Sequence, residues 1–262
     1  MSGETCPISV CIIARDEDHQ IRESLDSIVK AKPFEIIVIV DDRTTDNTEQ
    51  IAKEYTDKVF TVTGQRGKLR NVGWQKTTCD FICYIDADMK IPQDYLWHLL
   101  KVFKSQEDVA MVGARLLPLG NALPGILEWI VWDRPGIFGT GGSMYRISAL
   151  RSLNGFKDEL NAGEDSDLSR RMEQEGWKRV LVETTKSYHR FSQSWDVLLN
   201  KWRHGRTGGI TLKFLLVTLA SPIRGIGIAI KYRNPHILWF YPFRFFYLLF
   251  FGGKKDYIPR KY

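Results

Sequence analysis

Apolar, β-branched runs that alternate with helical patterns and end in acids constrain this chain more than any other feature. Ile8 to Ala14 is one such run, and it passes into Arg15-Asp16-Glu17-Asp18. A helical pattern follows from Ile21 to Val29, with Leu25 and Ile28 on its inner face. Glu35 to Val40 is a second continuous run, ending at Asp41-Asp42. The next helical pattern opens near Thr44 to Asp46, residue types that suit an N-cap, and takes in Ile51, Ala52 and Tyr55. Lys58 to Val62 reads as a short strand and Asn71 to Lys76 as a helix. Phe81 to Ile85 then closes on Asp86-Ala87-Asp88. Continuous apolar strands between helices predict a mixed, mostly parallel sheet covered on both faces. Ligands of such sheets bind outside the carboxyl ends of the strands. The acidic clusters after residues 14, 40 and 85 therefore converge on one edge.

Asp86 and Asp88 are the sharpest pair in that set. In an extended chain, residues i and i+2 point to the same side. Two carboxylates held together repel unless something cationic lies between them. A hard divalent ion, bound by oxygen and shared with phosphates, meets that need. An Asp-x-Asp alone is common by chance and also suits a solvated turn, so the other strand ends carry the argument.

At this point the chain resembles family 2 glycosyltransferases of the GT-A fold. The matching blocks are Ser9 to Glu17, Val40 to Thr48, Gly67 to Gly73, Tyr84 to Asp88, Gly141 to Arg146 and Gly163 to Arg171. Their order and spacing cover residues 8 to about 190. Family members often carry Gly-Ser where this chain has Arg43-Thr44, and Asn where it has Asp16. The resemblance implies an inverting hexosyltransferase that uses Mn²⁺ or Mg²⁺ and a nucleotide-sugar donor, UDP-linked by default with GDP as the rival.

The resemblance also assigns residues. Asp88 is the first metal ligand, Asp86 divides between the donor ribose and the metal, and His189 is a later additional ligand. Imidazole beside carboxylates suits Mn²⁺. Asp41 faces the nucleobase, with Asp42 its neighbour, and Ala14, Arg15 and Glu17 lie on the donor side. Lys68 and Arg70, in a Gly-flanked loop, meet base or phosphates, with Asn71 beside them. Asp165 is the base that takes the acceptor's proton in a single displacement, with Glu164 next to it. A helix starting here favours a negative charge at its N-terminus. Gly139 to Ser143 forms a loop that lets donor and acceptor approach closely. Trp129, Trp132 and Asp133, just before it, fit either a sugar-stacking or a core role. Arg203 and Arg206, three apart, share a helix face and clamp the donor diphosphate or meet a lipid phosphate.

Composition agrees with an enzyme that handles anions. The formal charge is +6 and the pI about 9.1, which suits nucleotides or a membrane surface. The basic residues do not gather around an aromatic stacking platform, so nucleic acid is not an expected partner. Cys6, Cys11, Cys79 and Cys83 lack zinc-site spacing and form no disulfide framework, which points to a reducing compartment. No secretory pattern precedes the first strand. A nucleotidyltransferase on a similar sheet, or a non-catalytic binder of anions, remains the alternative.

The tail differs in kind. Leu212 to Tyr232 and His236 to Phe251 are apolar, aromatic and basic, and they are interrupted by Pro222, Arg224, Pro242 and Arg244. A spanning helix needs ~20 mostly apolar residues. Helices lying in the membrane interface fit better than spans or buried core. The expected organisation is a catalytic domain over 1–205 and a C-terminal helical, membrane-associated extension over 206–262. The enzyme would then sit peripherally at the cytoplasmic face and act on a lipid-linked or other membrane acceptor.

Overall fold

A computed structural model describes residues 4–133, 139–205 and 212–251. The chain divides into two compact units, Met1–Leu117 with Gly136–His189, and Pro118–Pro135 with Arg190–Tyr262.

The first unit is built on a mixed sheet. Its strands are β1 (Cys6–Ala14), β2 (Pro33–Asp41), β3 (Val59–Val62), β4 (Phe81–Tyr84), β5 (Met89–Lys90), β6 (Val109–Pro118), β7 (Ser143–Arg146) and β8 (Lys178–His189). Its helices are α1 (Ile21–Lys30), α2 (Thr48–Lys53), α3 (Arg66–Lys76), α4 (Tyr95–Ser105), α6 (Ile147–Ser152) and α7 (Glu164–Gln174); α5 (Leu123–Trp132) belongs to the second unit. The strand order is β3-β2-β1-β4-β7-β6-β8-β5. β3, β2, β1 and β4 are parallel, and β7 then runs antiparallel to both β4 and β6.

Strand alternation sorts the apolar runs onto two faces. Val10, Ile12, Val38 and Val40 pack with Leu25 and Ile28 of α1 and with Leu96 and Leu99 of α4. Cys11, Ile37, Ile39 and Tyr84 pack with Leu69 of α3 and with Leu168 and Met172 of α7. Both faces are covered, so the central strands read as continuous apolar runs. The thiols of Cys6, Cys11 and Cys83 are buried and reduced. Burial pushes the first two up to about 12, and such cysteines act as small apolar residues.

One helix begins earlier than the sequence suggests. α3 starts at Arg66 and not near Asn71, so Lys68 and Arg70 lie on a helix and not in a loop. Gly67 looks like a loop residue but serves a close approach. A Cβ there would fall 2.0 Å from the carbonyl oxygen of Lys157.

The second unit contains α5, α8 (Trp195–Gly205), α9 (Leu212–Tyr232) and α10 (Ile237–Phe251). Leu127, Ile130, Leu198, Trp202, Ile237, Phe240 and Phe245 form its apolar centre. The boundary expected at residue 205 therefore falls at 190, because α5 and α8 share this core with the tail. Trp129 joins it, edge-on to Tyr232 at 5.7 Å, and the Tyr232 hydroxyl donates to Asp133 at 2.7 Å. The side chain of Trp132 lies outside the described residues.

Pro222 and Pro242 do not cut these helices, which run through them. Proline removes the N–H that would reach the carbonyl four residues back. For Pro222 that carbonyl belongs to Thr218, and it instead accepts the Ser221 hydroxyl at 2.6 Å. α9 is long and apolar enough to cross a membrane. Leu212, Leu216, Leu219, Ile223, Ile226 and Ile230, spaced 4-3-4-3-4, are all exposed. They make one apolar stripe along the helix.

Candidate active site

β4 ends at Tyr84, two residues before Asp86. The backbone then turns, and the Asp86 carbonyl accepts the Met89 N–H at 3.0 Å and the Ser24 hydroxyl at 3.2 Å. Asp86 and Asp88 therefore converge through a tight turn and not through strand alternation. β5 follows at once and pairs antiparallel with the end of β8, which sets Met89 opposite His189. His189 Nε2 lies 3.2 Å from Asp88 Oδ1. One ligand atom each from Asp86, Asp88 and His189 lies within 4.8 Å of the others. Two carboxylate oxygens and an imidazole nitrogen make a donor set that could hold a divalent cation.

The loop before β7 joins this cluster to Asp165. Tyr84 faces Ser143 in the antiparallel register, and the Tyr84 carbonyl accepts the Gly142 N–H at 2.7 Å. The preceding residues thus run alongside Asp86. A Cβ on Gly141 would sit 2.2 Å from Asp86 Oδ2, and one on Gly139 would sit 3.1 Å from Asp165 Oδ2. Side chains at 139 and 141 would crowd these two carboxylates, while Thr140 between them turns its hydroxyl to Tyr145, which donates to it at 3.0 Å. The loop is tied by Ser143 Oγ donating to Gly139 O at 2.6 Å and by the buried Tyr95 hydroxyl donating to Gly142 O. Tyr95 carries no motif signal that would mark this role.

α7 opens at Glu164, after Gly163 in the left-handed region at φ 77°. Asp165 is half-buried, and its Oδ1 accepts the Ser166 N–H at 2.7 Å. Its neighbour differs. Glu164 is 2% exposed and its Oε1 lies 3.2 Å from Arg70 Nε. Glu164 is thus a buried counter-charge and is not placed to act as a base. Arg70, 6% exposed, lies 5.6 Å from the Tyr84 ring centroid and 5.7 Å from that of Phe156. It supports the site from beneath instead of reaching out from a loop.

On the donor side, β1 and β2 end in register, Ala14 beside Val40. The loops that follow are laced together. Asp16 Oδ1 accepts Thr45 N–H at 2.8 Å, Asp46 Oδ2 accepts Asp18 N–H at 3.0 Å, and Thr48 Oγ1 accepts Glu17 N–H at 2.7 Å. Asp16 has φ 53°, a region Asn and Asp tolerate best, which accounts for either residue at this position. The Glu17 carboxylate turns to Gln20. Arg15, one-third exposed, lies 3.7 Å from Asp16 Oδ2. Asp41 is 5% exposed, while Asp42 is exposed and accepts the Thr63 hydroxyl at 2.7 Å. Lys68 is exposed, with its stem against Gly64.

Asn71 is corrected to a structural clamp. Its Oδ1 accepts Phe156 N–H at 2.8 Å and Trp74 Nε1–H at 2.9 Å. Its Nδ2 donates to Phe156 O at 2.7 Å and Asp158 Oδ1 at 2.6 Å. These bonds fill its amide, leaving nothing for a donor. Arg206 and the side chain of Arg203 lie outside the described residues.

The family model described as glycosyl transferase family 2 matches residues 9–140. The chain belongs to that family. An uncharacterized glycosyltransferase of Escherichia coli, YaiP, is 31% identical over 187 residues, covering 62% of this chain and 46% of its own. A probable glycosyltransferase of Bacillus subtilis, YdaM, is 24% identical over 94% of this chain and 63% of its own. The chain thus spans roughly half to three-fifths of the length of these curated relatives. S. aureus TarS in complex with UDP superposes with TM-score 0.57 at 21% identity, covering 74% of this chain and 64% of the other. A mannosyltransferase from Pyrobaculum calidifontis, in complex with GDP-Man and Mn²⁺, gives 0.57 at 17% identity over 93% and 75%. Both likenesses, at under 25% identity, support the GT-A fold.

The Arg70–Glu164 pair generates a direct test. Removing one partner of a buried ion pair strands the other charge and costs about 3–5 kcal/mol. Arg70→Gln lowers the melting temperature sharply in circular dichroism, and adding Glu164→Gln to it restores most of the loss. Equal melting of Arg70→Gln and wild type would contradict the pairing.

Proposed function

We propose that this chain is an inverting, divalent-metal-dependent glycosyltransferase that moves a sugar from a UDP-sugar to a hydroxyl or phosphate of a lipid-linked acceptor at the cytoplasmic membrane face. The reading rests on one observation, the convergence of Asp86, Asp88 and His189 beside a glycine loop that also touches Asp165. Solved neighbours in complex with UDP, or with GDP-Man and Mn²⁺, support a nucleotide-sugar donor.

Asp88 and His189 would hold the cation, with Asp86 completing the set. A divalent ion bound there neutralises charge on the diphosphate. Asp41 and Arg15 orient the nucleoside from the ends of the first two strands, with Lys68 at its edge. Glycine at 139 and 141 leaves room for the acceptor beside Asp165 and Asp86. Asp165 takes the proton from the acceptor hydroxyl as that oxygen bonds to the anomeric carbon. The bond from that carbon to the donor's phosphate oxygen breaks with its electrons on the diphosphate, and configuration inverts.

The second unit supports a membrane acceptor. Residues 212–251 contain Lys213, Arg224, Lys231, Arg233 and Arg244 and no acid. The apolar stripe of α9 is matched in kind by exposed Trp239, Phe243, Phe246 and Phe250 on α10. Apolar area with basic residues suits an anionic bilayer interface, where each Lys or Arg adds roughly 1 kcal/mol.

Asp165→Asn abolishes transfer, by about a hundredfold or more, while calorimetry with UDP and Mn²⁺ shows unchanged affinity. Retained transfer would move the base elsewhere, and an α-to-α product by NMR would reject inversion. For the membrane, the full chain floats with vesicles containing phosphatidylglycerol, and carbonate releases part of it. Leu219→Glu with Ile223→Glu weakens flotation by about tenfold or more. Flotation unchanged by both substitutions, or no binding by the wild type, would remove the membrane reading.

A further inference from the structure

Asp41 does not face the donor pocket alone. The residue two positions on, Arg43, grips its carboxylate. Arg43 N–H donates to Oδ1 at 3.0 Å, Nε–H donates to Oδ1 at 2.8 Å, and Nη2–H donates to Oδ2 at 2.5 Å. Nη2 also donates to the Gly64 carbonyl at 3.2 Å, on the glycine that carries the Lys68 stem. Burial alone would raise the Asp41 carboxyl, but the Arg43 hydrogen bonds outweigh it and hold the group below the usual carboxylate range.

The grip changes what Asp41 offers a ligand. An ionised carboxylate has about four lone-pair sites, two on each oxygen. Oδ1 already accepts two donors, and Oδ2 accepts one. One acceptor site is left, on Oδ2. An ungripped carboxylate presents two acceptors side by side, which suits the two adjacent donors of guanine, N1–H and N2–H. The gripped one presents a single acceptor, which suits the single ring donor of uracil's pairing edge, N3–H.

We propose that Arg43 is a specificity-determining residue that makes the Asp41 pocket select a uracil-type base over guanine. The proposal rests on the nucleotide-sugar reading above, with Asp41 at the base. Uracil places its N3–H on the one acceptor site left, on Asp41 Oδ2. Guanine brings its second N–H against Oδ1, where two N–H groups already point, and that donor is left unpaired. A buried polar group left unpaired is the strongest source of discrimination a pocket has.

Isothermal titration of the full chain with UDP and GDP, in Mn²⁺, tests this. The wild type prefers UDP by about tenfold or more. Arg43→Gly frees Oδ1 and narrows the ratio to about threefold or less, mainly by tighter GDP binding. Arg43→Lys keeps the charge but loses the fork, and also narrows the ratio, which decides the matter if the glycine variant fails to fold. A wild type that binds GDP as tightly as UDP, or a ratio that neither substitution changes, overturns the Arg43 assignment and leaves the glycosyltransferase reading standing. Failure of the wild type to bind either nucleotide overturns both.

Discussion

A guanidinium buried beneath an acidic sheet edge is the interaction on which this site depends. Asp86, Glu164 and Asp165 are drawn to the same edge by β4, the glycine loop and α7. Carboxylates that close repel unless positive charge is built in. Arg70 supplies it from inside the protein. Burial alone would lower its pKa, but Asp86 and Glu164 beside it hold the guanidinium firmly charged. Arg43 does the same for Asp41 at the far end. Asp86, Asp88 and His189 converge at the same edge, where a bound divalent cation would offset the carboxylate charge.

Much of this was legible in the residues. The runs Ile8 to Ala14 and Glu35 to Val40 became β1 and β2, because strands covered on both faces must be apolar throughout. Asp86, Asp88 and His189 do come together, although the reason differs in part. Alternation along a strand was the argument for the two acids, whereas the backbone brings them together by a turn. The partner from β8 arrives through strand register, which no local pattern encodes.

What was not legible depends on distant contacts. Arg70 looked like a phosphate-binding loop residue because Gly67 resembles a breaker. In the fold, Gly67 sits on a helix against the Lys157 carbonyl, and the rotation of that helix turns Arg70 inward. Asn71 looked available, but its amide is consumed by residues 85 to 87 positions away. Tyr95 was unmarked, since holding a loop by one hydroxyl leaves no pattern. Pro222 looked like a break, yet Ser221 satisfies the carbonyl that the proline leaves over. The unit boundary shifted because α5, some sixty residues upstream of α8, shares its core.

The claim that matters most is that Asp86, Asp88 and His189 form a divalent-cation site. Electron paramagnetic resonance of Mn²⁺, titrated into the full chain with UDP present, reads this without any turnover. The account predicts one bound Mn²⁺ per chain, with affinity reduced about tenfold or more in Asp88→Asn and in His189→Ala. Binding of Mn²⁺ to both variants as tightly as to the wild type would contradict it.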